Sequence, residues 1–141
     1  MIQPTLDGAG VRPGDVLPRY EKALSTVDLF AYGAATWDWH RLHYDLEYAR
    51  SRDLPGVLVD GQMFGALFAR QAMDWAGPGA FVAHLSMRMR AMAFVGDTLR
   101  GEGEVGEVRA GDDHYVVVLA QRLRNGERVS AECTTEVRLP R

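Results

Sequence analysis

The sequence contains a single cysteine, Cys133, among its 141 residues. One cysteine cannot form an intramolecular disulfide, so the fold cannot depend on a disulfide framework. This usage of cysteine is compatible with a reducing compartment. We therefore expect a cytoplasmic protein whose stability comes from its buried core.

Long apolar runs and an excess of positive charge are also missing. No stretch approaches the roughly 20 apolar residues of a membrane-spanning helix. The first residues do not combine a basic segment with an apolar run, as a secretion signal does. The formal net charge is −3, so no global positive field favours nucleic acid. We expect neither a membrane nor a nucleic acid as the partner.

The composition is that of one globular domain. Hydrophobic residues make up 47% of the chain and charged residues 25%, which is ordinary for a protein with a buried core. A length of 141 residues also fits a single domain. We expect one domain over residues 1–141, with residues 1–14, which contain several glycines and prolines, as an N-terminal arm.

Hydrophobic periodicity predicts a helical insert, one long helix and several antiparallel strands. The predicted helices cover residues 27–35, 44–52 and 61–76, and the predicted strands cover residues 19–26, 81–93, 98–109, 114–124 and 128–139. In the first helix, Leu29, Phe30 and Gly33 are expected on a packing face. Asp60 is the predicted N-cap of the long helix, which ends at Gly77. The last four strands are expected to form a meander, and the whole is an α+β, two-layer fold.

Titratable side chains are concentrated in residues 38–45, which read Asp-Trp-His-Arg-Leu-His-Tyr-Asp. Histidine with a carboxylate is a common pair for proton exchange near neutral pH. Asp38 and His43 would lie about 140° apart on a regular helix, so they can act together only if the backbone between them turns. The segment therefore predicts an acid–base site on a turn. A helix cap for Asp38 and a buried structural role for His43 are the alternatives.

Residues 30–45 resemble the hallmark of the MaoC-like R-specific enoyl-CoA hydratase/dehydratase family, which has the hot-dog fold. That hallmark runs Phe/Tyr-Ala-x-x-Ser-Gly-Asp-x-Asn-Pro-hydrophobic-His-x-Asp, and its catalytic pair falls on Asp38 and His43. Two further family segments correspond to residues 58–63 and 96–99. The resemblance extends from about Pro13 onward. It implies a single hot-dog domain, in which a curved antiparallel sheet wraps a long central helix and a short helical insert carries the active-site turn.

The resemblance also implies the reaction, which is the addition or removal of water across the double bond of a 2-enoyl thioester of CoA or a carrier protein, without a cofactor. Asp38 and His43 would activate the water, and which of them is acid or base stays open. The backbone N–H of Gly61 suits the thioester oxygen, because the first N–H groups of a helix have no partner within it. A homodimer is expected, with a heterodimer of related hot-dog subunits as the alternative.

The sequence departs from the family at several positions. The family's Asn-Pro is His40-Arg41 here, its Ser-Gly is Thr36-Trp37, and Asp60 stands where a histidine is frequent. His40 is therefore expected to contact the substrate or to influence Asp38, and a surface role is the alternative. Residues 74–78 also resemble small hydratase subunits of actinobacterial sterol side-chain degradation, which work with a larger, related partner.

Other functions fit the sequence less well. His40 and His43, with Asp38 or Asp45, could suggest zinc, but a His-x-x-His pair without a third ligand at fixed spacing is a weak signal, and we predict no metal site. A hot-dog thioesterase would use a carboxylate near the long helix and would lack the Asp38–His43 turn. A non-catalytic scaffold subunit would not need to retain both residues.

Overall fold

The helices are grouped between the first strand and the other four. The computed structural model describes residues 4–141. Its strands are β1 (Tyr20–Ala23), β2 (Phe81–Met89), β3 (Thr98–Ala110), β4 (His114–Asn125) and β5 (Arg128–Pro140), and its helices are α1 (Thr26–Thr36), α2 (Leu46–Arg50) and α3 (Gly61–Ala76). Short 3₁₀ segments cover Gly8–Gly10 and Arg41–His43. The predicted α+β class is confirmed.

The five strands form one antiparallel sheet in the order β1-β3-β4-β5-β2. The expected four-strand meander is wrong, because only β3, β4 and β5 follow one another as neighbours. Strand β2 instead pairs with β5 at the opposite edge from β1.

The segment after β2 explains this strand order. The Val59 N–H donates to the Ala93 carbonyl at 2.9 Å, and the Val95 N–H donates to the Val57 carbonyl at 3.0 Å. Ala93 and Val95 thus bond to the segment before α3, and residues 90–97 do not form a hairpin between β2 and β3. Residues 90–97 carry the chain from the β2 edge of the sheet to β3, which is the neighbour of the opposite edge strand β1.

Helix α3 lies against the sheet and has the predicted bounds. Asp60 caps it by accepting a hydrogen bond from the Gln62 N–H at 2.8 Å, and Gly77, with a φ of 90°, follows its last turn. The face toward the sheet is buried, and its members are Met63, Phe64, Leu67, Phe68, Gln71, Ala72, Trp75 and Ala76. The apolar members of this face pack α3 against the sheet.

A buried polar network crosses the interface between α3 and the sheet. Gln121 of β4 donates to the Phe68 carbonyl at 3.0 Å and to the Gln71 side chain at 2.9 Å. The Thr135 hydroxyl donates to the Gln121 amide oxygen at 2.7 Å. Because each group has a partner, burial of these polar side chains costs little and orients the helix on the sheet.

The helical insert begins with a well-defined cap. Ser25 and Asp28 form a capping box, in which each side chain accepts a hydrogen bond from the other residue's backbone. Leu29 and Gly33 are buried as expected. The prediction for Phe30 is wrong, because 54% of its surface is exposed. Its ring packs edge-on against Trp39 instead of entering the core.

The chain before β1 packs against the rest of the domain. Val11 and Leu17 are buried, and the Leu6 N–H donates to the Ala76 carbonyl at the end of α3. The predicted arm over residues 1–14 is therefore packed from residue 4 onward, and its first three residues lie outside the described range. Within residues 4–141, no helix is both long and apolar enough to cross a membrane.

Candidate active site

The backbone reverses direction where α1 ends. Trp37 adopts the left-handed conformation, with φ 60° and ψ 26°, and the Asp38 N–H donates to the Gly33 carbonyl at 3.1 Å. Left-handed backbone is uncommon for residues other than glycine, and it ends helices abruptly. The turn required by the Asp38–His43 spacing is therefore present.

His43 ends the 3₁₀ segment, and a backbone carbonyl fixes its ring. Its Nδ1 lies 2.8 Å from the Leu58 carbonyl oxygen. Because a carbonyl only accepts, Nδ1 carries the hydrogen, and Nε2 of the neutral ring is left as an acceptor. A histidine held in this tautomer can take a proton at Nε2.

Three titratable side chains meet at one point. Asp38 and Asp60 each contribute one carboxylate oxygen, and His43 contributes one ring nitrogen. These three atoms lie within 4.8 Å of one another. Asp38 and His43 are half-buried, whereas Asp60 is buried. The turn brings the first two together, and the segment Leu58–Asp60 brings the third, since Leu58 also holds the His43 ring.

A cavity of about 480 Å³ opens beside this cluster. It is lined by His43, Leu58, Val59, Asp60, Gly61, Gln62, Phe64, Met89, Arg90, Ala91 and Met92. Within residues 4–141, the Gly61 N–H at the start of α3 donates to no other group. A Cβ at Gly61 would overlap the Met89 sulfur, so a side chain at this position would have to displace the Met89 side chain where the cavity meets the helix.

The charge near the cluster is negative. Burial raises the pKa of the Tyr32 hydroxyl, and the carboxylates of Asp60 and Asp38 raise it further. Arg90, on the cavity lining, is paired with Glu132 at 2.8 Å. Its charge is thus already partly neutralised.

The remaining titratable residues of the 38–45 segment have other contacts. Asp45 caps α2 through the Tyr48 N–H at 2.9 Å, and this bond together with the Arg41 guanidinium lowers the pKa of its carboxyl. The exposed His40 accepts a hydrogen bond from the Leu42 N–H at 3.2 Å. The His40 ring centroid lies 5.9 Å from that of His43, but His40 is not among the residues that line the cavity.

The cluster has donors that a metal ion could use. Two carboxylates and one imidazole suit several divalent metals, and they suit a water molecule equally well. This set differs from the zinc ligands weighed from the sequence, because Asp60 takes part and His40 does not. The expectation of no metal site stays a prediction.

Asp60 is the site residue that the sequence did not identify. A cap position before a helix explains an aspartate fully, so nothing in the local pattern suggested a second role. The one signal of a second role was the comparison with the family, in which a histidine is frequent at this position, directly before Gly61.

Comparison with known proteins gives consistent matches. Residues 11–126 match the family model described as MaoC like domain. The chain is 31% identical over 107 residues to the mitochondrial 3-hydroxyacyl-(acyl-carrier-protein) dehydratase of Arabidopsis thaliana, covering 76% of this chain and 63% of that protein. It is 26% identical over 125 residues to the 3-oxo-4,17-pregnadiene-20-carboxyl-CoA hydratase beta subunit of Mycobacterium tuberculosis. This match covers 89% of this chain and 95% of that protein.

A solved structure supports the fold. The (R)-hydratase from A. caviae involved in PHA biosynthesis superposes with a TM-score of 0.84 at 24% identity, covering 93% of this chain and 98% of that one. At this identity the likeness concerns the fold alone. The predicted hot-dog fold is confirmed.

Proposed function

The chain belongs to the MaoC-like family of hydratases and dehydratases, and on that basis we propose that it adds or removes water across the double bond of a 2-enoyl thioester. In hydration, the water oxygen bonds to Cβ, one water proton leaves, and one proton bonds to Cα. The thioester itself is unchanged. The chemistry needs proton exchange and stabilisation of enolate charge, and it needs no cofactor.

Asp38 and His43 are the proposed groups that hold and activate the water. The observation that carries this assignment is their convergence, together with Asp60, within 4.8 Å. The Nδ1 hydrogen bond of His43 to the Leu58 carbonyl leaves Nε2 to exchange a proton. A well-placed acid–base group contributes about 10²–10⁴-fold in rate. Either residue can serve as the acid or the base.

Gly61 is the proposed donor to the thioester oxygen. Its N–H lies at the N-terminus of α3 and on the same cavity as His43. The partial positive charge of a helix N-terminus favours the developing enolate, and one such donor is worth about 10²–10³-fold in rate. We propose that His40, which is exposed beside His43, contacts the substrate rather than the water.

The proposed substrate is an acyl thioester of CoA or of a carrier protein, bound by a dimer of this chain. A second candidate is a catalytic subunit that pairs with a related hot-dog chain. The Mycobacterium tuberculosis relative favours it, because that protein is described as a beta subunit and this chain covers 95% of it. The cytoplasmic location stays a prediction.

The test is hydration of a panel of enoyl-CoA and enoyl-carrier-protein thioesters by the purified chain. The reaction is measured as the loss of enoyl absorbance. We expect Asp38→Asn and His43→Ala to lower kcat by about 10²–10⁴-fold, while cooperative unfolding curves show that both variants are folded. The matched controls are Asp74→Asn and His114→Ala, which alter residues of α3 and β4 outside the cluster and its cavity and should keep wild-type kcat.

The outcomes separate the candidates. Folded Asp38→Asn and His43→Ala variants with undiminished hydration would rule out the proposed site. A chain that is inactive alone, and becomes active only with a related hot-dog protein, would favour the heterodimeric subunit.

A further inference from the structure

Asp60 has a buried carboxylate oxygen that its role as a helix cap does not use. The residue is 7% exposed. Its Oδ1 accepts the Gln62 N–H at 2.8 Å, whereas its Oδ2 is buried and has no hydrogen-bond partner. An unpaired buried oxygen is rare in folded proteins and calls for an explanation. A cap alone would be served by one oxygen, as in serine.

The surroundings of Asp60 point to the water site. Its carboxylate lies within 4.8 Å of ligating atoms of Asp38 and His43, and it lines the same cavity as Gly61. Tyr32 also faces this charge, since the carboxylates of Asp60 and Asp38 raise the pKa of its hydroxyl. Arg90 lines the cavity but is held by Glu132. The Asp60 carboxylate therefore shares the site with Asp38 and His43, and its unpaired oxygen is available to the water that the proposed reaction requires.

A count of hydrogens shows what such a cluster needs. Asp38, Asp60 and the Nε2 of neutral His43 offer three acceptors to one water. A water has only two hydrogens, so one acceptor stays unsatisfied unless the cluster holds one more proton. With that proton, every acceptor has a partner, and the site contains both a base and an acid.

Building on the proposed hydratase function, we propose that Asp60 is a third proton-exchanging group, which shares one proton with Asp38 and His43 around the catalytic water. In hydration, the shared proton bonds to Cα while the water oxygen bonds to Cβ. The cluster then takes one proton from the water, which restores its starting state. In dehydration, the same steps run in reverse.

The test separates this role from capping. Asp60→Asn and Asp60→Ser both keep a good cap, but neither residue exchanges protons near neutral pH. We expect both variants to have the same urea midpoint of unfolding as the wild type, and we expect their kcat to fall at least tenfold. One limb of the pH profile of kcat should move or disappear, whereas KM should change little. Asp45→Asn, the same change at the α2 cap, is the control and should keep the wild-type profile.

A second readout does not depend on turnover. In ¹⁵N-histidine NMR at one fixed pH, the Nε2 signal of His43 should change when Asp60 is replaced by Asn, because the group that shares a proton with this nitrogen has been removed. Asp60→Asn should show this shift, and Asp45→Asn should not.

The outcomes are distinct for the two proposals. A wild-type kcat, pH profile and His43 Nε2 signal in Asp60→Asn would show that Asp60 is only a helix cap, even with the hydratase function intact. A wild-type chain that hydrates no thioester, whether alone or with a partner, would overturn the proposed function. The NMR shift would still decide whether Asp60 shares the proton.

Discussion

At the scale of single residues, Gly33 allows the turn of the candidate site to pack closely on α1. The Asp38 N–H donates to the Gly33 carbonyl, and a Cβ at position 33 would lie 2.9 Å from the Asp38 carbonyl oxygen. That neighbour is backbone, so it cannot rotate away as a side chain would. Any side chain at this position must displace the segment that carries Asp38.

We therefore predict that Gly33→Ala clearly lowers kcat while the chain stays folded. A displacement of about 1 Å in a catalytic group can cost up to about 10²-fold in rate, and we expect a loss of about tenfold or more in hydration assays. Gly65→Ala is the control within α3, because a Cβ there would meet the nearest atoms at an ordinary 3.9 Å. It should stabilise the fold by about 0.4–1 kcal/mol with unchanged kcat. Equal kcat values for Gly33→Ala and wild type would contradict this account.

The sequence reveals residues of the site unequally. Asp38 and His43 could be proposed because they lie close together in a recognisable segment. Asp60 could not, because a helix cap explains it and its second contact depends on how the turn docks. Gln121 is a similar case. Its inward position follows from strand alternation, but its partner Gln71 lies 50 residues away and is identified only by the packing of α3.

At the scale of elements, the start of α1 combines a capping box with an ion pair. Asp28 accepts hydrogen bonds from Ser25 and from Lys22, the latter at 2.6 Å. The hydrogen bond from Lys22, followed by that from Ser25, lowers the pKa of the Asp28 carboxyl to about 2. The charged form of Asp28 therefore stabilises the helix that leads into the Asp38 turn.

This predicts a pH dependence of stability with a defined sign. The ordinary pKa of the carboxyl is 3.8 and the folded value is about 2, so the stabilisation is complete above about pH 4 and is lost as the pH falls toward 2. We expect it to amount to at most about 1 kcal/mol, because solvent screens the pair. Urea unfolding between pH 2 and pH 6 should show a smaller decline for Asp28→Asn than for wild type.

Lys22→Met provides the comparison for that experiment. It removes the largest cause of the lowered pKa and retains the Ser25 hydrogen bond, so its decline should be intermediate. A full wild-type decline in Asp28→Asn would show that other carboxyls carry the acid sensitivity.

The elements themselves were easier to predict than their order. The bounds of α3 follow from Asp60, the apolar stripe and Gly77, which are local signals. The position of β2 beside β5 does not, because local turn signals favour a hairpin with β3. The backbone bonds of Ala93 and Val95 to residues 57–59 decide the order, and such long-range pairing has no signature in either segment alone.

At the scale of the whole molecule, the two sheet edges differ. Strand β1 has four residues, whereas the β2 edge has nine. Large apolar side chains are exposed on or just after β2, since Phe81 is 62%, Met89 60% and Met92 56% exposed. A long edge strand with exposed apolar residues favours pairing with another strand. Met89 and Met92 also line the cavity, so a partner on this edge would help to enclose the site.

We predict that assembly and activity depend on the β2 edge. Two antiparallel copies of β2 related by a twofold axis would make one continuous sheet, and light scattering should give twice the chain mass of 15.7 kDa. Phe81→Lys, which places a charge on this edge far along the strand from Met89, should shift the mass toward the monomer and lower specific activity on dilution. Val27→Lys, at the 77% exposed Val27 of α1, is the control and should stay dimeric.

A monomeric wild type that gains mass and activity only with a related hot-dog chain would assign the β2 edge to a heterodimer. A fully active monomer would show that the cavity needs no partner, because the chain alone then encloses enough of the substrate for turnover.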